Sequence, residues 1–305
     1  MTIVFSLAPI FLLILLGYAI RKRGLIDPAF WMPAERITYF VFFPALLISN
    51  IARIEFDFLA LGPMVIAVVS GILIVGGSVI ALRPYITVSN PTFTSIFQGA
   101  VRPNSYVGIA AAVALFGDAG LTLIAIIISV GVPLVNFLSA IVLAYYVPQN
   151  DGRIGFSRLA MPVITNPLIL ACMAGIFLNV SGLGLPLVFG PLLDILGNAA
   201  LPVGLLAVGA GLHFQALRAS MAVMGLTAAT KILLLPLITY LALKAFGVEG
   251  LAASVAVIYA ALPGSPSAYV LARQMGGDGE LMAGLITLTT LISMVLMPMI
   301  VLALG

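Results

Sequence analysis

Long apolar stretches alternate with short polar segments along the whole chain. A bilayer core requires about 20 apolar residues per helix. Ten stretches reach approximately that length: Thr2–Ile20, Ala34–Ala52, Phe58–Leu82, Thr94–Phe116, Ala119–Val147, Val163–Ser181, Leu193–Leu212, Met221–Phe246, Gly250–Ala272 and Gly279–Leu304. The longest clearly polar stretch between them, Pro148–Arg158, is too short for a soluble domain. The pattern therefore predicts an all-α membrane protein of about ten transmembrane helices.

The distribution of Lys and Arg predicts how these helices are oriented. The loops after spans 1, 3, 5, 7 and 9 carry nine positive residues, whereas the opposite side carries only Arg53 and Lys244. The nine are Arg21, Lys22, Arg23, Arg36, Arg83, Arg153, Arg158, Arg218 and Arg273. Cytoplasmic loops are enriched in Lys and Arg. We therefore expect a multi-pass protein of the inner or plasma membrane with both termini outside.

Prolines and other turn-forming residues repeat at a fixed distance along the chain. An offset of 158 residues pairs Pro9 with Pro167, Pro28 with Pro186, Pro33 with Pro191 and Pro44 with Pro202. An offset of 160 pairs Pro103 with Pro263, Ser105 with Ser265, Gly117 with Gly277 and Asp118 with Asp278. The chain thus divides into halves 1–150 and 151–305 with five helices each. An odd number of helices makes the second half enter the membrane from the opposite side, so two inverted repeats are predicted.

Composition excludes several classes of protein. Hydrophobic residues make up 63% of the chain and charged residues 8%, against about a quarter charged in soluble domains. Much of this apolar surface must contact the lipid bilayer, and nothing points to a nucleic-acid partner. The single Cys172 and the single His213 are too few for a metal site, and no nucleotide-binding loop occurs, so no metal or cofactor is predicted. An intramembrane protease would need a deep Ser–His or Asp pair; the sequence has neither, and an enzyme is not predicted.

The fourth and ninth spans are interrupted at corresponding positions. One interruption lies at Pro103, within Gln98–Tyr106, and the other at Pro263, within Tyr259–Ser267. Proline removes a backbone donor and clashes with the preceding turn, so it breaks a helix. Two broken helices at matching places in inverted halves indicate a substrate site near the middle of the membrane. The alternative is a pair of structural kinks, as expected at Pro44 and Pro202.

Two positive charges, Arg102 and Lys231, lie deep within spans. A charge at the bilayer centre costs several kcal/mol, so it suggests a functional site. All ten acidic residues are predicted at span ends or in loops: Asp27, Glu35, Glu55, Asp57, Asp118, Asp151, Asp194, Glu249, Asp278 and Glu280. An anionic substrate would supply the missing negative charge. The alternative, favoured for Lys231, is that the cation reaches a distant partner or backbone carbonyls.

With these residues identified, the sequence resembles the auxin efflux carrier family, including bacterial members described as malonate or other organic-acid permeases. The resemblance extends over essentially the whole chain. It rests on Pro44-Ala-Leu-Leu, Arg102-Pro-Asn-Ser-Tyr106, Gly117-Asp118 and Leu262-Pro263. The break is similar to the Asn-Pro-Asn-x-Tyr motif of plant carriers, but Arg102 replaces the first Asn. The long hydrophilic loop of many plant members is also absent.

The resemblance implies the fold of bile-acid/sodium symporters, with a scaffold domain and a transport domain in which the two broken helices cross. It implies that Asn104 contacts substrate and that Pro103 and Pro263 mark the crossing. Ser49 and Asn50 of the second helix would line the same pocket. The candidate substrate-binding residues are Ser49, Asn50, Arg102, Pro103, Asn104, Ser105, Tyr106, Pro263, Ser265 and Pro266.

The function expected from these features is secondary active transport of small organic anions, such as dicarboxylates or auxin-like weak acids, by alternating access. A non-transporting receptor or scaffold and a sodium-coupled, bile-acid-like symporter are the alternatives. The sequence leaves open whether a proton or sodium is coupled to transport, and whether the protein is a homodimer.

Overall fold

The computed structural model describes residues 2–53, 58–147, 166–185, 187–218 and 221–304. The predicted linker Pro148–Arg158, the start of the sixth span at Val163, Pro186 of the proline repeat, and Glu55 and Asp57 lie outside these residues. The described part is helical and contains no β-strand, as the apolar pattern predicted. Its α-helices are α1 Thr2–Lys22, α2 Trp31–Ile37, α3 Phe43–Ile51, α4 Phe58–Ala81, α5 Asn90–Val101, α6 Ser105–Tyr146, α7 Pro167–Val180, α8 Phe189–Ala210, α9 Met221–Ala229, α10 Leu235–Ala245, α11 Gly250–Ala260, α12 Pro266–Met275 and α13 Gly279–Leu304.

Six helical segments of the described residues are long and apolar enough to cross a membrane. They are Val4–Lys22, Leu61–Ala81, Ser105–Tyr146, Phe189–Ala210, Met221–Ala245 and Gly279–Ala303. The segment Ser105–Tyr146 changes direction at Gly117, whose φ of 59° and ψ of −145° are not helical. This kink coincides with the predicted boundary between the fourth and fifth spans. Two further apolar helices, α7 and α11, are shorter, and the count of ten spans stays a prediction.

Prolines shape two of the helical runs without ending them. A π-helical turn, Thr38–Phe42, joins α2 to α3 just before Pro44, and another, Thr230–Leu234, joins α9 to α10 just before Pro236. Because proline cannot donate a backbone hydrogen bond, the helical turn immediately before each of these prolines contains one extra residue. The N–H of Phe43 then bonds to Thr38, and the N–H of Leu235 bonds to Thr230. Lys231 lies within the second π turn.

The chain forms two compact units, and each takes segments from both halves of the sequence. Unit 1 comprises Met1–Ala60, Tyr106–Val130 and Ile164–Gly211. Unit 2 comprises Leu61–Ser105, Gly131–Val163 and Leu212–Gly305.

Glycines permit very close helix packing in unit 1. A Cβ atom on Gly17 of α1 would lie 2.1 Å from the carbonyl oxygen of Leu206, and one on Gly209 of α8 would lie 1.8 Å from that of Ile14. Membrane helices commonly associate through small residues of this kind, because lipid provides no hydrophobic force between them. In the same unit α3 packs against α7 and α8.

Helix α13 contacts several other helices of unit 2. It packs against α5, α9, α11 and α12. Its first turn is fixed by Asp278, which accepts the N–H of Leu281 at 2.9 Å and the hydroxyl of Thr92 at 3.0 Å. The starts of α13 and α5 are therefore tied together; α5 leads to the first predicted break, and α13 bonds to the second through Thr289.

Candidate functional site

The two predicted interruptions are present in unit 2. Helix α5 ends at Val101, Arg102 is extended with φ −85° and ψ 116°, and α6 begins at Ser105. Helix α11 ends at Ala260, Ser265 is extended with φ −83° and ψ 134°, and α12 begins at Pro266. Pro103 and Pro263 thus occupy the non-helical segments, as their chemistry requires.

The interrupted segments lie side by side and bond to each other through their backbones. The N–H of Asn104 donates to the carbonyl of Pro263 at 2.8 Å, and Pro103 and Gly264 form an isolated antiparallel bridge. The N–H of Gly264 donates to Thr289 Oγ1 of α13 at 3.0 Å. Irregular backbone at membrane depth requires such internal partners. These two segments, residues 102–104 and 261–265, are called the paired breaks. Hydrogen bonds within unit 2 hold them in place.

Arg102 provides a buried positive charge at the paired breaks. Its side chain is only 4% exposed. One guanidinium nitrogen donates to Gln98 Oε1 at 3.3 Å and another to Ser267 Oγ at 2.9 Å. The Ser267 hydroxyl also bonds to that of Ser265 at 2.9 Å. The bonds to Gln98 and Ser267 position the guanidinium at the breaks.

Two amide side chains accompany Arg102. Gln98 is fully buried and Asn104 is 1% exposed. The Nε2 atom of Gln98 has no hydrogen-bond partner among the residues that the structure describes. A buried N–H without an acceptor costs about 1–3 kcal/mol. An acceptor atom brought by a ligand would remove this cost.

Lys231 is the second buried cation of unit 2. Its side chain is fully buried, and its Nζ atom donates to the carbonyl oxygen of Ala260 at 3.2 Å. Ala260 is the last residue of α11, so the amine lies at the negative end of that helix dipole. The structure therefore shows a nearby backbone carbonyl, rather than a distant partner, for this lysine.

The structure groups the predicted site residues in two sets. Arg102, Pro103, Asn104, Ser105, Pro263, Ser265 and Pro266 belong to unit 2 and form or flank the paired breaks. Tyr106, Ser49 and Asn50 belong to unit 1. The Tyr106 ring stacks on Phe43 with 4.8 Å between centroids, and the Asn50 amide donates to the carbonyl of Leu46 at 3.0 Å.

Ser49 takes part in a polar cluster of unit 1 that sequence reasoning did not anticipate. Its hydroxyl donates to Asp194, and Arg53 binds both oxygens of the same carboxylate at 2.8 Å. Asp194 lies in the second turn of α8, because that helix begins at Phe189, earlier than predicted. The ion pair is about half exposed, with side chains 49% and 42% accessible, and such pairs contribute little stability.

Three residues at the paired breaks were missing from the predicted set: Gln98, Ser267 and Thr289. Gln98 precedes Arg102 by four residues, a spacing that places side chains on one helix face, so it was identifiable. Ser267 lies within the interrupted ninth segment and was also identifiable. Thr289 follows from no sequence signal, because its role depends on how α13 packs.

The sequence of the chain is similar to those of known membrane transport proteins. Residues 158–301 match a family described as "Membrane transport protein". An "Uncharacterized transporter" of Methanothermobacter thermautotrophicus is 27% identical over 296 residues, which cover 95% of this chain and 94% of the relative. A "Putative malonate transporter" of Rhizobium meliloti is 26% identical, covering 93% of this chain and 90% of the relative.

These similarities confirm the family resemblance predicted from the sequence. The chain is a membrane transporter, because its second half matches a membrane transport family and relatives of nearly the same length are named transporters. The six long apolar segments of the described residues make it a multi-pass membrane protein.

Proposed function

We propose that the protein is a secondary carrier of small organic anions, such as dicarboxylates or auxin-like weak acids. Transport would proceed by alternating access around the paired breaks. The observation that carries this proposal is the buried guanidinium of Arg102, which Gln98 and Ser267 position at the paired breaks. A positive charge held in this place attracts an anion, and a carboxylate bound beside it would form charge-assisted hydrogen bonds.

The chemistry of the surrounding groups suits a carboxylate. A guanidinium presents a planar fork of donors that matches the two carboxylate oxygens. Gln98 Nε2 supplies a buried donor, and Asn104 supplies a second amide in the adjacent break. Helices α6 and α12 both begin at the breaks, and a helix N-terminus carries partial positive charge that favours anions.

The name of the R. meliloti relative, "Putative malonate transporter", supports dicarboxylates as the first substrates to test. The protein would be reconstituted into liposomes preloaded with unlabelled malonate, succinate or indole-3-acetate. Entry of the labelled compound by exchange would then be measured. A carrier exchanges the labelled compound at a rate above that of protein-free liposomes, whereas a receptor or scaffold does not.

Substitutions of Arg102 test the role of its charge. We expect Arg102→Gln to weaken carboxylate affinity by roughly 10- to 100-fold, because a hydrogen bond to a charged group contributes about 1.5–3 kcal/mol. Arg102→Lys keeps the charge and should retain part of the affinity. Arg83→Gln is a matched control, because Arg83 bonds to Ile86, Val88 and Asn90 near the start of α5, away from the breaks.

Two outcomes would contradict the proposed site. In one, Arg102→Gln lowers thermal stability and reduces transport of charged and uncharged compounds equally, so that Arg102 only anchors the break. In the other, Arg102→Gln transports organic acids as well as the wild-type protein does. An absence of exchange by the wild-type protein for all three acids would reject the carrier function itself.

A further inference from the structure

We propose that Lys231 carries a proton that is transported together with the organic anion. The inference rests on the proposed function, since the proton accompanies that substrate. On one side of the membrane the neutral amine takes a proton from hydronium, which forms an N–H bond and breaks an O–H bond. On the other side the ammonium returns the proton to water, and both changes are reversed.

The position of Lys231 connects it directly to the paired breaks. Its fully buried amine bonds to the carbonyl of Ala260 at 3.2 Å. The next residues along the chain form the break that contains Pro263, and the carbonyl of Pro263 accepts the N–H of Asn104. The amine is therefore bonded to a residue that lies three positions before Pro263, whose carbonyl forms the backbone bond between the two breaks.

The helices packed around Lys231 bring few ionisable groups. Among the described residues, α5 and α9 contain none, although Arg102 follows α5. Helix α10 carries Tyr240 and Lys244, α11 carries Tyr259, and α13 carries Glu280, which is exposed in its first turn. The described residues form the ion pairs Arg53–Asp194 and Lys244–Glu249, and neither includes Lys231.

This charge balance favours proton exchange. An ammonium buried in a membrane core without a counter-anion costs several kcal/mol. A bound organic anion would lower that cost, and by reciprocity a proton on Lys231 would strengthen binding of the anion. When the anion leaves, the ammonium loses its compensating charge and releases its proton.

The two buried cations are suited to different tasks. A guanidinium stays protonated under all physiological conditions, whereas a buried lysine readily gains and loses its proton. Arg102 is thus the permanent charge at the breaks and Lys231 the exchangeable one. The alternative is that Lys231 only stabilises the C-terminus of α11, a task that Arg would also perform.

Proteoliposomes separate these two roles when exchange and net accumulation are measured in parallel. Labelled malonate is supplied under a pH gradient, alkaline inside, with the membrane potential clamped at zero. If one proton accompanies each malonate, we expect malonate to accumulate about tenfold per pH unit. A tenfold ratio of malonate concentrations and a pH difference of one unit correspond to the same free energy. Lys231→Arg, which keeps the charge, should keep malonate exchange and lose this accumulation. Lys231→Met should also lose the accumulation and should exchange malonate with weaker affinity, because it lacks the charge that favours the anion.

Lys244→Met is the matched control, because Lys244 is an exposed lysine of the neighbouring α10; it should retain both activities. Accumulation that persists in Lys231→Arg, or that follows a sodium gradient and not the pH gradient in the wild-type protein, would overturn the inference. Wild-type exchange without pH-driven accumulation would reject the proton and leave the carrier function standing. No wild-type exchange of malonate, succinate or indole-3-acetate would reject both.

A binding measurement keeps the inference testable if the Lys231 variants do not fold. Malonate binding to the purified wild-type protein is followed by calorimetry in buffers that differ in ionisation enthalpy. Uptake of close to one proton per malonate is expected. A heat of binding that is independent of the buffer would show that no proton is taken up, and the inference would be wrong.

Discussion

Asn104 contributes two separate groups to the paired breaks. Its backbone N–H is fixed on the Pro263 carbonyl at 2.8 Å, whereas its side chain, 1% exposed, is the part that a substrate would contact. A side-chain substitution leaves the backbone bond in place. Loss of function can therefore be separated from loss of structure at this residue.

We expect Asn104→Ala to insert and fold normally and to bind organic acids roughly 10- to 100-fold more weakly, because a hydrogen bond to a carboxylate contributes about 1.5–3 kcal/mol. The affinity is measured from the concentration dependence of uptake into proteoliposomes. Ser265→Ala removes only a neutral hydroxyl and should have a smaller effect. Full organic-acid transport by both Asn104→Ala and Arg102→Gln would exclude the paired breaks as the substrate site.

At the scale of single residues, the sequence predicted the chemistry of the breaks better than the contacts. Arg102 was recognisable as a deep cation, and Asn104 as the polar residue after a helix-breaking proline. The acceptors of Arg102 were not predicted, because a side-chain hydrogen bond such as that to Ser267 joins residues 165 positions apart in the chain. Such a pairing depends on how α5 and α12 pack, which no local pattern encodes.

At the scale of elements, prolines have two different effects on helices. Pro103 and Pro263 end a helix, whereas Pro44 and Pro236 are accommodated by a π turn inside a helical run. The breaks were predictable because both prolines have polar neighbours and matching positions in the two halves. The π turns were not predicted, because a hydrophobic pattern does not change when a helix widens by one residue.

Helix α13 supports the second break through one side chain, and this gives a test at the element scale. Thr289→Val removes the acceptor of the Gly264 N–H and should destabilise unit 2 by about 1–3 kcal/mol, the cost of a buried unsatisfied donor. Thr290→Val is the matched control, because the equally buried Thr290 bonds, among the residues that the structure describes, only to Ile286 of its own helix at 2.7 Å. Melting temperatures in detergent compare the variants, and an equal loss in both would show that the Thr289–Gly264 bond does not support the break.

At the scale of the whole molecule, the chain is interleaved: both units combine segments from the first and the second half. The sequence predicted two halves related by a proline repeat and the helical, membrane-embedded class of the fold. It did not predict where the units divide, since a boundary within α6, between Ser105 and Tyr106, has no counterpart in hydropathy or in the loops.

Orientation in the membrane is the remaining prediction at this scale. The excess of Lys and Arg in odd-numbered loops predicts that Arg23 is cytoplasmic and that Lys244 is outside. Cysteines at these exposed positions, introduced singly into a Cys172→Ser protein, should react accordingly with a membrane-impermeant maleimide in intact cells: residue 244 labelled, residue 23 protected until lysis. The opposite pattern would reverse the assigned orientation. Cys172 is the single cysteine of the sequence, so its replacement by Ser leaves no other thiol in the background.

The backbone bond between Asn104 and Pro263 has a consequence for how such a protein diversifies. Two of the bonds that align the breaks, Asn104 N–H to Pro263 and Gly264 N–H to Thr289, use main-chain atoms of the breaks, so they do not depend on the side chains at positions 102, 104, 265 and 267. The Arg102–Ser267 bond adds a side-chain link. The main-chain links are therefore retained when those four side chains vary, provided that replacements for the buried residues 102 and 104 fit the space available. Proteins with this architecture can therefore change their substrate by substituting a few side chains, and each substituted protein still folds.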